Sequence, residues 1–216
     1  RSFDALAVYF DKGRFAQLQS DLSLEKKAAE WVTSLQLKDQ KTAGYVTTLI
    51  YNHLRAVRDW HNDHPFTTIP EGINPLTGSP LSELERSLIA DSAMPKEVHT
   101  KLMNGLRKSL TEEQVEAILD KYTVGKVAFT MKGYKAIVPD LTVKEEATIL
   151  AHLKQAREQA IDYKSMKQIS AVFEMYKNKC EAYLNNNGRN WRQLFKAFVD
   201  KVKAEKAAKK AAEQKQ

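Results

Sequence analysis

Apolar residues recur along this chain at intervals of three and four. Val115, Ile118, Leu119 and Tyr122 form one such series, and Ile149, Leu150, Leu153, Ala156 and Ala160 form another. That spacing puts each series on one stripe of an α-helix. Several series open on a Ser or Thr with an acid or amide three residues later: Ser82 with Glu85, Thr111 with Gln114, Thr142 with Glu145. In that arrangement each side chain can satisfy a free amide of the first helical turn. The pattern predicts helices near 2–19, 24–36, 40–63, 82–91, 95–108, 112–122, 143–162, 165–185 and 189–211. The fold class is all-α, a single multi-helix domain.

Two stretches interrupt the helical period. Residues 65–81 hold four of the six prolines, at 65, 70, 75 and 80. Each fixes its own φ and restrains the residue before it, so helix is excluded there. Phe66, Ile69, Ile73 and Leu76 make the stretch too apolar for a disordered linker, and it reads as a long ordered loop packed on the helices. Residues 126–139 carry Val127, Phe129, Met131, Ile137 and Val138 around Gly133. They read as a small hairpin or an irregular segment. Three parts follow: an N-terminal extension over 1–20, a helical domain over 21–200, and a Lys/Ala-rich helix end over 201–216.

With 216 residues, 43% hydrophobic and 28% charged, the chain is ordinary for a globular protein and long enough to bury a core without a metal or disulfide. The single cysteine, Cys180, excludes an internal disulfide. No apolar run approaches the ~20 residues of a membrane-spanning helix. The net charge of +7 suggests nucleic acid until the charge is located. Residues 201–216 hold six lysines and two glutamates, leaving only +3 for the rest. That is a solvated helix end, and none of the aromatic-basic signatures of nucleic-acid binding accompanies it, so no nucleic-acid partner is expected.

Candidate chemistry concentrates in NHLRAVRDWHNDHPF, residues 52–66, which contains three of the five histidines. On a helix, His53, Trp60 and His64 share the apolar face with Val46, Leu49, Ile50, Leu54 and Val57. Arg58 and His61 flank that face, and Arg55 can pair with Asp59 four residues on. His53 reads as a hydrogen-bonded core histidine. His61 and His64 are three apart, but no further ligand pattern accompanies them, so neither a metal nor another cofactor is expected. Trp60, His61 and His64 meet the proline-rich loop, where an indole plane beside hydrogen-bonding groups suits a sugar ring. Helix capping by the same polar groups is the alternative.

A second cluster is YLNNNGRNWRQLF, residues 183–195. Gly188 fits a left-handed cap after the preceding helix. Arg189, Asn190, Trp191 and Arg192 then form a polar-aromatic cluster, with arginine as carboxylate partner, asparagine as hydroxyl partner and tryptophan as stacking plane for an acidic sugar, unless Trp191 is simply a core residue beside solvated arginines. Lys126, Phe129, Lys132, Tyr134 and Lys135 form a third cluster of the same kind.

The segments KAAEWVTSLQL, HLRAVRDWHNDHP, LTEEQVEAILDKYTVGKVAFTMKGYKAIVPDLTVKEEATILAHLKQAREQAID and YLNNNGRNWRQ resemble an uncharacterised family of secreted proteins from polysaccharide-degrading Gram-negative bacteria, described as sugar-binding only by inference. The resemblance runs over roughly residues 24–205 and carries no catalytic motif. It implies export to the periplasm or cell surface and an oligosaccharide or polysaccharide partner. The expected function is carbohydrate binding, with an acidic glycan favoured by Arg58, Arg189, Arg192 and the lysine surplus. The ligand-binding candidates are Trp60, His61, His64, Arg58, His53, Arg189, Asn190 and Trp191. The alternatives are a lyase acting on acidic glycans, with His61 or His64 as base and Arg58 neutralising the carboxylate, and a helical scaffold without catalysis.

Overall fold

The structure, a computed structural model of the chain, describes residues 12–213. Among these residues the protein is all-α. Its helices are α1 (Lys12–Thr33), α2 (Gln40–Asp63), α3 (Glu83–Ser92), α4 (Lys96–Ser109), α5 (Glu112–Thr123), α6 (Lys126–Ile137), α7 (Val143–Ala160), α8 (Met166–Asn186) and α9 (Trp191–Glu213). The one extended pairing among them is an isolated bridge between Ile73 and Pro80. The helices belong to two compact units. The first is the chain up to Tyr122 together with Asp162–Gln168; the second is Thr123–Ile161 with the chain from Ile169 onward.

The cap signals act where the sequence puts them. Ser82 with Glu85 and Thr142 with Glu145 form reciprocal capping boxes. Thr111 and Gln114 exchange the same pair of bonds. So do Ser165 and Gln168 at the start of α8, a box the expected boundaries overlook.

In the first unit, α2 packs on both α1 and α4. Val46, Leu49, Ile50 and Val57 of α2 are buried, as are Ala28, Trp31 and Val32 of α1 and Leu102, Met103 and Leu106 of α4. Gly105 permits the close approach of α4, because a Cβ there would collide with the Leu49 side chain. Trp31 meets Tyr122 edge-on at 4.8 Å.

Helix α1 corrects an expected break. It runs unbroken through 20–23, where the sequence suggests a stop between two helices. The reason lies on α2: the Arg58 guanidinium donates to Ser20 Oγ at 2.8 Å and pairs with Asp21 at 2.6 Å, holding those cap-forming side chains away from the backbone. The rest of the expected 2–19 helix, over residues 1–11, lies outside the described residues.

The proline-rich loop is ordered. A short 3-10 turn covers Phe66–Thr68, and Arg86 donates two bonds to Ile69 O while its guanidinium lies over the Phe66 ring. Asn74 donates to Glu85 at 2.5 Å. Only part of the loop packs, however. Ile73 and Leu76 face solvent, the latter 93% exposed, because each sits in the outer turn between two prolines.

In the second unit, α6 packs against α7 and α9. Helix α6 corrects the expected hairpin at 126–139. Val127, Met131, Tyr134 and Val138 are all buried, at intervals of four, three and four, so the segment obeys the helical period despite its β-branched residues and Gly133. Packing of that stripe outweighs a local propensity difference of less than about 1 kcal/mol per residue.

The α8–α9 connection closes as a Schellman turn. Gly188 takes φ +83°, its N–H reaches Asn185 O, and Arg189 N–H reaches Leu184 O. The turn delivers the Arg189 side chain to the start of α7. There its Nε and Nη2 donate to the Glu145 carboxylate at 3.0 and 2.8 Å, and Nη1 donates to both Asp140 oxygens at 2.9 and 2.8 Å. Glu145 is buried, and its carboxyl is held down to about 2, first by the Arg189 bonds and then by the Thr142 amide.

A carboxylate lowered on folding stabilises the native state above its unfolded value of 4.5 and loses that contribution as pH falls towards 2. Thermal unfolding followed across acidic pH therefore shows the wild-type midpoint falling through this window. Glu145→Gln starts from a lower midpoint at neutral pH and shows a shallower fall. Equal slopes in the two proteins count against the clamp.

Candidate functional site

Helix α2 carries the first cluster, and the first unit gives most of its polar side chains internal partners. His53 is buried, and its Nε2 donates to Asp162 Oδ1 at 3.0 Å, as a core histidine should. His99 of α4 donates from Nδ1 to the other oxygen of the same carboxylate at 2.7 Å. Burial pushes the Asp162 carboxyl up, but the bonds and charges of the two imidazoles outweigh it and hold the group below the ordinary aspartate value. Tyr122 packs edge-on to His53, and burial, then the Asp162 charge, drives its phenol well above the usual range.

Eight residues further on, His61 Nδ1 donates to Asp91 Oδ2 at 2.6 Å, and Gln168 donates to the same atom at 2.5 Å. Asp91 is only 4% exposed, whereas His61 is half-buried. Trp60 donates its indole N–H to Ala90 O at 3.1 Å, and the His64 ring stacks on its plane at 3.7 Å. One face of that indole is thus already covered.

Arg58 is buried rather than flanking the apolar face, and it takes Asp59 as well as Asp21 and Ser20. The expected Arg55–Asp59 pair is replaced accordingly, with Arg55 over the Tyr51 ring. Helical spacing alone does not show that α1 supplies partners for the guanidinium. Among the described residues no group of three or more His, Cys, Asp or Glu is arranged to hold a metal ion.

The second unit contains an open cleft of about 770 Å³, within the range of small-ligand sites. It unites two clusters that are more than fifty residues apart in sequence. Phe129, Lys132 and Tyr134 come from α6, and Trp191 and Phe195 come from the first turns of α9. The remaining wall is a polar stripe of α8 at helical spacing: Glu174, Lys177, Asn178 and Glu181. Trp191 is half-buried, lies 5.3 Å from the Tyr134 ring and stacks on Phe195 at 6.0 Å. Phe129 is 78% exposed and Phe195 46%, so the platform is open to solvent.

Of the other expected residues in this cluster, Arg189 spends its guanidinium on Asp140 and Glu145, as described above. Asn190 caps α9 by accepting from Gln193 N–H at 3.0 Å. Both support the platform rather than line it.

Within the α8 stripe, Lys177 binds Glu174 at 2.6 Å. Glu181 is half-buried. Burial raises its carboxyl above the ordinary glutamate value, Lys177 opposes that shift and Glu174 adds to it. These four residues do not stand out in the sequence. Their spacing of three, one and three is the signal present, and it is the same spacing that a solvated helix face shows. His99, Asp162, Asp91 and Gln168 escape notice for a different reason, since each lies 30 or more residues from its partner.

The shared carboxylate in the first unit gives a direct check. Asp162→Ala leaves a buried imidazole without its acceptor and costs about 1–3 kcal/mol of stability in urea denaturation. Asp162→Asn retains one acceptor and costs less.

No curated protein matches this chain. Its sequence matches the model of DUF3826, described as a protein of unknown function, over residues 22–204, and the chain belongs to that family.

Proposed function

We propose that this DUF3826 protein binds carbohydrate in the cleft of its second unit. The observation that carries the reading is the aromatic platform of Trp191, Phe195 and Phe129, exposed inside a cleft whose other wall is polar. A sugar ring has an apolar C–H face and a rim of hydroxyls, and it needs both kinds of surface at once. Burying large aromatics would stabilise the fold, so leaving two phenylalanines open beside a half-exposed tryptophan has a cost that ligand binding would explain. The family resemblance supports a glycan partner and a role in the periplasm or at the cell surface.

A lyase reading keeps one structural element, the His61–Asp91 pair. The buried carboxylate fixes the tautomer of a half-exposed imidazole, as a general base requires. The cation that would neutralise a substrate carboxylate is not at hand in Arg58, which is buried among Asp21, Asp59 and Ser20.

Calorimetric titration with plant and algal oligosaccharides, with near-UV absorbance followed in the same samples, tests both readings. Saturable binding without absorbance growth is expected. Trp191→Ala is expected to weaken it at least about tenfold, the loss of a stacked aromatic contact, while Trp60→Ala leaves it within about twofold. Growth of an unsaturated-uronide absorbance would replace the binding reading with the lyase.

A further inference from the structure

The charges lining the cleft bear on which glycan it takes. An acidic glycan needs an uncommitted cation beside the stacking plane. Of the three arginines that suggest such a preference, Arg58 and Arg189 are engaged, and Arg192 is exposed but is not among the residues that line the cleft. Arg58 holds three α1 and α2 side chains, and all three nitrogens of Arg189 are bound to Asp140 or Glu145. The cleft itself is lined by two lysines and two glutamates, so it carries no surplus of positive charge. Lys177 is tied to Glu174. Lys132 is exposed on α6, where solvent and salt screen its attraction.

On the α8 wall the groups left to face a ligand are Glu181, half-buried, and Asn178 less than one turn before it. A carboxylate has two acceptor oxygens spaced to take two hydroxyl donors, and the neighbouring amide adds a donor and an acceptor. A uronate placed here would bring its negative charge against Glu181 with Lys177 already spent on Glu174. We propose that the cleft selects neutral glycans, with Glu181 accepting hydrogen bonds from a vicinal pair of sugar hydroxyls, Asn178 assisting, and Trp191 stacking on the ring. This rests on the carbohydrate reading above and supplies its substrate class.

The test is calorimetry on the whole chain at low and moderate salt. The neutral probes are xylo-, gluco-, manno- and galacto-oligosaccharides; the acidic probes are oligogalacturonate and alginate oligosaccharides. A neutral probe is expected to bind best, with little salt dependence. Glu181→Ala should weaken it about tenfold, the loss of hydrogen bonds to a charged acceptor. Glu181→Gln, which keeps the shape and one acceptor, should weaken it less. Lys132→Ala should leave affinity within twofold, and thermal unfolding of each variant confirms an intact fold. The inference is overturned, with the carbohydrate reading intact, if an acidic probe binds more tightly and loses affinity with salt and with Lys132→Ala. It is equally overturned if a neutral probe binds in a Trp191-dependent way that Glu181→Ala leaves unchanged. Failure of every probe to bind overturns both readings.

Discussion

A guanidinium has five N–H donors in a rigid plane, and burying any of them unpaired is costly. Arg189 meets that demand with two carboxylates from a different part of the second unit, Glu145 in the first turn of α7 and Asp140 just before it. Much else in the unit follows from this one arrangement. The Schellman turn at Gly188 fixes where the side chain departs, and the capping box of Thr142 fixes where Glu145 waits for it. With Arg189, two residues before α9, anchored at both backbone and side chain, Trp191 can hold its place against Tyr134 and Phe195. The clamp makes the platform without lining it.

The first unit applies the same physics with imidazoles. His53 and His99 share Asp162, and His61 shares Asp91 with Gln168. A buried carboxylate is tolerable only when hydrogen-bonded donors surround it, and each bond also ties together segments distant in sequence. Most of the polar crowd on α2 is therefore partnered within the first unit. The stripe on α8 that looks like an ordinary solvated face supplies a wall of the cleft. Residue type alone cannot show which polar groups already have partners.

That difference explains what was legible. The helices with clear apolar stripes and Ser/Thr caps stand close to where their sequences put them, because stripe and cap are settled within four residues along the chain. The segment at 126–139 was misread because valines, a phenylalanine and a glycine look strand-like locally, while the burial of Val127, Met131, Tyr134 and Val138 depends on neighbouring helices. The break expected between 19 and 24 failed similarly: Ser20 and Asp21 look like cap residues until Arg58 of α2 takes them up.

By itself, then, the sequence determined the all-α class, the capped helix starts, the ordered proline-rich loop and the left-handed turn at Gly188. Tertiary structure alone decided that Arg58 and Arg189 are paired with carboxylates, that Trp60 stacks against His64, and that Trp191 and Phe129 share one cleft with Glu181. Periodicity and capping act over one helical turn, so they are written in consecutive residues. Whether a charge is spent or available depends on partners such as those 44 and 49 residues from Arg189, and only the packed chain brings them within hydrogen-bond reach.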